Sequence, residues 1–244
     1  MPTSVITTNL VHLLAAYFVL AAPWLGRLRY RNTQRRLHAG DPLAKLRLYR
    51  QWVIKQTVIV SVFCGLWLFG GIPRTRLGLR APRSWWLSAG LAAAIVGLLV
   101  WSAIRLRRKA GEFREKLPEH VGALLPDSPD ELLWFAAASL GGGIAEELAY
   151  RGFLFDYIGI YLPHLNILEK GLLTSLIFGM AHLYQGWRGV AASGLAGLML
   201  AALYLLSGSL LLPMVVHVMG NLRATLIFFP SRSNPGRFAT LPLR

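Results

Sequence analysis

The sequence predicts an all-α polytopic membrane protein, and three observations lead to this fold class. Of the 244 residues, 55% are hydrophobic and only 15% are charged, whereas soluble domains carry about 25% charged residues. Mean hydropathy is +0.47. Charge-poor apolar runs recur along the chain, each close to the length of about 20 residues that crosses a bilayer as a helix. An ordinary soluble fold and an intrinsically disordered chain are therefore excluded.

The apolar runs predict about seven membrane-spanning helices. The five clearest runs are residues 5–25, 58–72, 86–104, 188–206 and 209–229. Two further runs, residues 132–155 and 171–184, contain polar side chains. The second clear run extends back to Trp52 if it includes Lys55. An eighth span is expected only if a segment near residues 157–168 enters the membrane.

The basic residues concentrate between the apolar runs. Lys and Arg number 26 against 11 Asp and Glu, which gives a formal net charge of +15. In a strongly apolar chain such loops face the cytoplasm, according to the positive-inside rule. The first loop, the third loop and the C-terminal tail hold most of these residues. We therefore expect an integral protein of a bacterial plasma membrane, with the N-terminus outside and the C-terminus in the cytoplasm.

The basic loops also indicate which partners to expect. They attract anionic membrane lipid, and no basic groove with interleaved aromatic residues is present, so a nucleic-acid partner is not expected. The second loop does not fit the orientation, because Arg74, Arg76, Arg80 and Arg83 fall on the non-cytoplasmic side. A second or third segment that is only half inserted in the membrane would account for that loop.

Composition also predicts how the chain is divided. Residues 1–117 form an N-terminal membrane region with three spans, and residues 118–131 form a linker that contains three prolines. Residues 132–229 form a membrane core that carries nearly all the intramembrane polar residues, and residues 230–244 form a basic tail. The single cysteine, Cys64, excludes an intrachain disulfide and a cysteine-based zinc site.

Ionisable side chains inside a bilayer are costly, and by default they mark a functional site. The predicted spans contain a small set of them together with one amide: Glu146, Glu147, Arg151, His182, His217, Asn221 and Arg223. Glu147 and Arg151 are four residues apart, in the order that favours an ion pair on one helix face. Glu146 projects about 100° away from Glu147, so we expect its partner on another helix.

Glutamate, histidine and asparagine side chains can together hydrolyse a peptide bond. A carboxylate in a low-dielectric site can act as a general base, and with one His it can orient and deprotonate water. A second His and an Asn amide are hydrogen-bond donors suited to an oxyanion. Two alternatives remain open at this point. Glu146, His182 and His217 could bind Zn²⁺, or the buried Glu, His and Arg groups could relay protons in a transporter.

Known protease signatures narrow the choice. The H-E-x-x-H zinc helix and the G-x-S-x-G nucleophile elbow are absent from the sequence. Three other short motifs are present in order on hydrophobic segments. Residues 146–151 (EELAYR) fit E-E-x-x-x-R, Phe178 and His182 fit F-x-x-x-H, and His217 and Asn221 fit H-x-x-x-N. Over about residues 132–229 the sequence thereby resembles the CAAX prenyl protease and bacteriocin-processing family, also called CPBP or Abi.

The resemblance implies an intramembrane endopeptidase that cleaves a membrane-associated peptide or protein, lipidated or not. The first Glu of the family motif is the catalytic base, which corresponds to Glu146, and the second motif's histidine, His182, positions the water. The third motif supplies the oxyanion site, here His217 and Asn221. Three further residues match supporting positions: Glu147, Arg151 and Phe178.

The resemblance leaves the question of a metal open. Family members have been described both as metalloproteases and as metal-free glutamic proteases. Asn221 is a poor zinc ligand and a good oxyanion donor, so we expect no cofactor, with zinc held by Glu146, His182 and His217 as the alternative. Two other functions remain as alternatives, namely a proton-coupled transporter and an idle family member that binds and protects a membrane partner.

Overall fold

A computed structural model describes residues 5–110, 112, 116, 122 and 124–228. Seven helices follow one another in these residues, and none of the described residues forms a strand. The helices are α1 (5–38), α2 (Ala44–Leu68), α3 (Trp85–Arg107), α4 (Pro129–Tyr161), α5 (Ile167–Ala181), α6 (Gly186–Ser207) and α7 (Leu211–Phe228). Two of them contain a π-helical stretch, Tyr17–Ala21 in α1 and Leu148–Leu154 in α4. The predicted all-α class is confirmed.

Five of the described helices are long and apolar enough to cross a membrane. They are α1 from Thr7 onward, α2, α3, α4, and α6 together with the 3₁₀ turn Leu183–Gln185 that precedes it. Helix α7 is apolar but shorter, and α5 has 15 residues. The predicted polytopic membrane fold is confirmed. No additional helix forms near residues 157–168, because α4 ends at Tyr161 and the Asn166 side chain caps the start of α5.

The first two helices are longer than the apolar runs that predicted them. Helix α1 continues beyond residue 25 as far as His38, and α2 begins at Ala44, well before Trp52. Hydropathy detects only the part of a helix that is apolar. Arg, Gln and Leu are good helix formers, so the polar residues at either side of a short connection extend both helices.

Helix α4 occupies the middle of the bundle, where it packs against α2 on one side and α7 on the other. The glycines before the acidic pair permit this close packing, as expected of small residues between membrane helices. A Cβ atom on Gly143 would lie 2.6 Å from Cγ2 of Val218 in α7, and one on Gly141 would lie 2.6 Å from Oε1 of Gln56 in α2. Gly141 and Gly143 thus bring the middle of α4 against two neighbours.

The arginines of the second loop serve the fold. Arg76 forms an ion pair with Asp156 of α4, with Nη2 2.7 Å from Oδ2. Arg80 donates from Nε to the Gly208 carbonyl, and Arg83 donates from Nη1 to the Leu205 carbonyl at 2.9 Å. The last carbonyls of a helix lack internal partners and attract positive charge. Three of the four arginines therefore have local structural roles.

The end of the predicted linker is fastened to α2. Tyr49 donates to the Leu124 carbonyl at 2.6 Å, and Lys45 forms an ion pair with Asp127 and another with Glu131, the latter at 3.0 Å. Helix α4 then starts at Pro129, a few residues before the predicted boundary. The division into residues 1–117, 118–131 and 132–229 stays a prediction, and the tail 230–244 lies outside the described residues.

Candidate active site

The acidic pair of α4 stands immediately before the π-helical stretch Leu148–Leu154. A π-helical stretch inside an α-helix is rare and frequently occurs at functional sites. Glu146 and Glu147 project to different sides of the helix, and their surroundings differ completely. The side chain of Glu147 is 0% exposed, whereas that of Glu146 is 23% exposed.

Glu147 and Arg151 form the ion pair that their spacing predicted. Nη1 of Arg151 donates to Oε1 of Glu147 at 2.8 Å, and both side chains are fully buried. Nη2 of Arg151 donates to the Gly197 carbonyl of α6 at 2.9 Å, and its guanidinium lies 4.6 Å from the centre of the Phe178 ring. The pair therefore ties α4 to α5 and α6 as well as neutralising its own charges.

His217 of α7 is held by the same carboxylate. Its Nδ1 lies 2.7 Å from Oε1 of Glu147, and because a carboxylate can only accept, Nδ1 is the donor. Its Nε2 lies 3.8 Å from Oε2 of Glu146. Glu147 thus fixes the ring so that the second nitrogen faces Glu146. Spacing within one helix revealed only the Arg151 partner, since the His217 contact joins residues far apart in sequence.

His182 lies at the C-terminal end of α5. Its Nδ1 donates to the Phe178 carbonyl at 2.9 Å, which leaves Nε2 for the space in front of it. The Phe178 ring packs against the His182 ring at 4.7 Å and against the edge of the His217 ring at 5.8 Å. Phe178 is only 2% exposed. It therefore packs between both histidines and Arg151, which gives a physical reason for the supporting position that the motif predicted.

Asn221 lies one helical turn after His217. One N–H of its side-chain amide donates to the Ser139 carbonyl of α4 at 3.3 Å. This bond orients the amide plane and leaves the second N–H available to the interior of the bundle. Arg223, which also attracted attention in the sequence, has a buried Nε with no hydrogen-bond partner among the described residues. It does not line the cavity described next.

Glu146, His182, His217 and Asn221 all line one cavity of about 390 Å³. Glu147 and Arg151 lie behind its wall. The N-terminal helices contribute to the cavity as well, including Tyr17 of α1 and Lys55 of α2. The sequence had indicated only the region 132–229 for the site. An intramembrane lysine in the second apolar run was the one available signal for a contribution from α2.

The residues of the alternative metal site do not fit a metal as they stand. Within residues 5–110 and 124–228, no group of three His, Cys, Asp or Glu side chains is arranged so that it could hold a metal ion. The bonds from Nδ1 of His217 to Glu147 and from Nδ1 of His182 to the Phe178 carbonyl do not bear on this point, because metal-ligating histidines have similar partners. We derive no chemical step through a metal.

Comparison with known proteins identifies the region that carries these residues. Residues 128–223 match the family described as Type II CAAX prenyl endopeptidase Rce1-like. The matched range contains every motif residue from Glu146 to Asn221. No curated protein and no solved structure matched the chain. Residues 128–223 of this chain are therefore similar to the Rce1-like CAAX prenyl endopeptidase family.

Proposed function

We propose that this protein is an intramembrane endopeptidase that hydrolyses a peptide bond with a water activated by Glu146 and His182. The observation that carries the proposal is the meeting of four polar side chains, from α4, α7 and the end of α5, around one cavity. Membrane helices do not bring a carboxylate, two imidazoles and an amide together without a functional reason, because each is costly in hydrocarbon.

The two glutamates suit different roles. Oε1 of Glu147 accepts from both Arg151 and His217, so this carboxylate is committed to holding other side chains. Glu146 has no hydrogen bond from a described residue and faces the cavity, where it can accept a proton from water. A general base must reach the proton that it removes. This requirement favours Glu146 as the base and Glu147 as the group that positions His217.

The proposed reaction proceeds in two steps. Glu146 removes one proton from a water whose other hydrogen is accepted by Nε2 of His182, and the hydroxide adds to the peptide carbonyl carbon. The oxyanion accepts hydrogen bonds from the free N–H of Asn221 and from Nε2–H of His217. The second donor requires a doubly protonated His217, whose charge is balanced by Glu146 before the reaction and by the oxyanion once Glu146 has taken the proton, since Glu147 already balances Arg151. Glu146 then returns its proton to the leaving nitrogen as the C–N bond breaks.

The substrate class follows from the surroundings of the site. The cavity is lined by helices that cross the membrane, so the peptide has to arrive in or at the bilayer, as part of a membrane-associated peptide or protein. A lipid attached to that peptide is compatible with the apolar surroundings.

The proposed orientation of the chain has the N-terminus outside and the C-terminus in the cytoplasm of a bacterial cell.

The direct test compares Glu146→Gln with wild type in lipid nanodiscs. The probe is a quenched fluorescent peptide with a farnesylated cysteine followed by three residues. Asp130→Asn is the matched control, because it makes the same change at an exposed carboxylate on the same helix. Wild type and the control should cleave the peptide, and Glu146→Gln should not. Comparative peptidomics of cells that carry wild type or Glu146→Gln would then identify natural substrates.

A chelator experiment separates the metal-free proposal from the zinc alternative. Purified protein treated with EDTA and 1,10-phenanthroline, with metal content measured before and after, should keep its full rate of cleavage. Loss of activity that stoichiometric zinc restores would contradict the metal-free reaction. Proton-coupled uptake into proteoliposomes that depends on Glu146 would instead support the transporter.

A further inference from the structure

A groove between α1 and α2 borders the catalytic cavity. Its volume is about 680 Å³, and its walls come from one face of each helix. Most of its lining is apolar, with Ile54, Val58 and Val62 on the α2 side. The groove and the cavity share part of their lining: Tyr17, Phe18, Arg29, Leu48, Lys55 and Ile59. The two spaces are therefore adjacent at this point.

The shared boundary is positively charged. Four basic side chains line the groove, namely Arg29, Arg36, Arg47 and Lys55, and none of its described lining residues is acidic. Arg47 is compensated, since it pairs with Asp41 at 3.0 Å. Only Arg29 and Lys55 also line the catalytic cavity, where Glu146 is the one acidic residue among the described lining.

Lys55 is the unusual member of this set. It lies about 16 Å along α2 from the first residue of the helix, within an apolar segment. It forms no hydrogen bond and no ion pair with any described residue, although its charge acts on Glu146 and on Arg29. Lys45 on the same helix shows how a buried ammonium is usually neutralised, because it pairs with Asp127 and Glu131. A cation without a hydrogen-bonded partner inside a membrane protein is a candidate functional group.

We propose that Lys55, assisted by Arg29, binds a carboxylate of the peptide substrate at the boundary between the groove and the cavity. The inference rests on the proposed peptidase function and adds a specificity determinant to it. An ammonium binds a carboxylate by charge-assisted hydrogen bonds, which are strong when water is excluded. The mechanism above does not use Lys55. The carboxylate belongs either to the C-terminus of the peptide or to an acidic side chain a few residues from the cleaved bond.

The position of Lys55 favours a peptide over a membrane lipid as the source of the anion. A lipid headgroup would be bound by the basic residues that lie away from the cavity, such as Arg36 and Arg47. Lys55 instead shares its space with Glu146 and His182. A group bound by Lys55 is therefore held beside the reacting atoms, which is where a substrate gains from being anchored.

The test measures binding and cleavage separately in zwitterionic nanodiscs. The probes are farnesylated peptides that end in a free carboxylate, in a C-terminal amide, or in an amide preceded by glutamate. Binding is measured in the Glu146→Gln background to prevent turnover, and cleavage is measured with Glu146 intact. Lys55→Gln should weaken binding of the acid peptide and lower its kcat/KM by roughly 10- to 100-fold, as expected for a lost charge-assisted hydrogen bond. The substitution should have little effect on the binding and the kcat/KM of the plain amide peptide.

The controls isolate the role of the charge. Lys55→Arg should keep the preference for the acid peptide, and Arg47→Gln should leave it unchanged because Arg47 lies outside the cavity. Strong binding of the glutamate-containing amide would identify a side-chain carboxylate as the ligand. A uniform fall in kcat for all peptides would mean that Lys55 acts only on Glu146, and the proposal would be wrong.

The remaining outcomes separate this proposal from the proposed function. Cleavage of acid and amide peptides at equal rates would leave the peptidase standing and overturn the carboxylate site. If the acid peptide binds selectively and in a Lys55-dependent way but is not cleaved, the carboxylate site stands and the peptidase function is overturned. Failure of every probe to bind would overturn the carboxylate site. A Lys55 effect that appears only with added phosphatidylglycerol would assign the cation to lipid and overturn the proposal as well.

Discussion

The two sides of α4 make a useful comparison, because adjacent glutamates on one helix have opposite surroundings. On one side, Glu147 is fully buried and its Oε1 accepts from Arg151 and His217. On the other, Glu146 is partly exposed to a cavity and accepts no hydrogen bond from a described residue. The first arrangement supports structure, and the second leaves a carboxylate free to react. His217 touches both sides and connects them.

The difference shows how a membrane protein can keep one reactive carboxylate. Glu147 and Arg151 neutralise each other, so burying them leaves no net charge in the protein interior. Glu146 does not need such a counter-charge, because it faces a cavity that can admit water. If this interpretation is correct, the same chemical change at the two positions should have different consequences, one on activity and the other on stability.

The largest expected effect is that of Glu146→Gln on catalysis. Removal of a general base should lower kcat by roughly 10²- to 10⁴-fold with no loss of protein yield or thermal stability, since the side chain makes no bond that holds the fold. Steady-state cleavage of the farnesylated peptide and a thermal unfolding scan measure the two properties. A fully active Glu146→Gln protein would contradict the proposed mechanism.

Glu147→Gln should chiefly destabilise the protein. It leaves the buried guanidinium of Arg151 without its counter-charge, and breaking such a pair costs about 3–5 kcal/mol of folding free energy. The expected result is a low yield and a reduced unfolding temperature, measured against Glu146→Gln as the matched control. A normally folded but inactive product would show that the roles of the two glutamates are reversed.

Asn221→Ala tests the cavity side of the site, which Glu146 faces, by a change on helix α7. Loss of one oxyanion donor should lower kcat by roughly 10²- to 10³-fold with little change in KM. The fold should tolerate the change, because the amide makes only one long bond of 3.3 Å, to Ser139. Cleavage kinetics together with a thermal scan check both expectations, and an unchanged kcat would remove Asn221 from the oxyanion site.

Gly197→Ala tests the buried side of α4, where Glu147 and Arg151 pair, without changing any charge. Its new Cβ would lie 3.0 Å from Nη2 of Arg151 and 3.1 Å from the Phe178 ring. Such overpacking costs about 1–3 kcal/mol and should lower the unfolding temperature. Gly194→Ala on the same helix is the control, since its nearest neighbour would be 3.8 Å away. Equal stability of both variants would show that the pocket around Arg151 yields easily.

Sequence patterns anticipated contacts within a helix better than contacts between helices. The i, i+4 spacing predicted the Glu147–Arg151 pair, and the need of Glu146 for a partner on another helix was also evident. The bond from His217 to Glu147 was not predictable, because it depends on how closely α7 packs against Gly143. Lys55 likewise enters the site only because α2 packs beside α4. Helices α1 and α2 extend beyond the apolar runs, since hydropathy does not register polar helical turns.

The sequence by itself determined the class of the molecule and the chemical groups available to it. Apolar runs can satisfy their backbone in a bilayer only as helices, and costly polar residues within them indicate function. The tertiary structure alone decided which glutamate is enclosed and which faces a cavity, and that second-loop arginines hold the ends of helices. Burial and contact depend on the packing of distant segments, and helical periodicity contains no information about that packing.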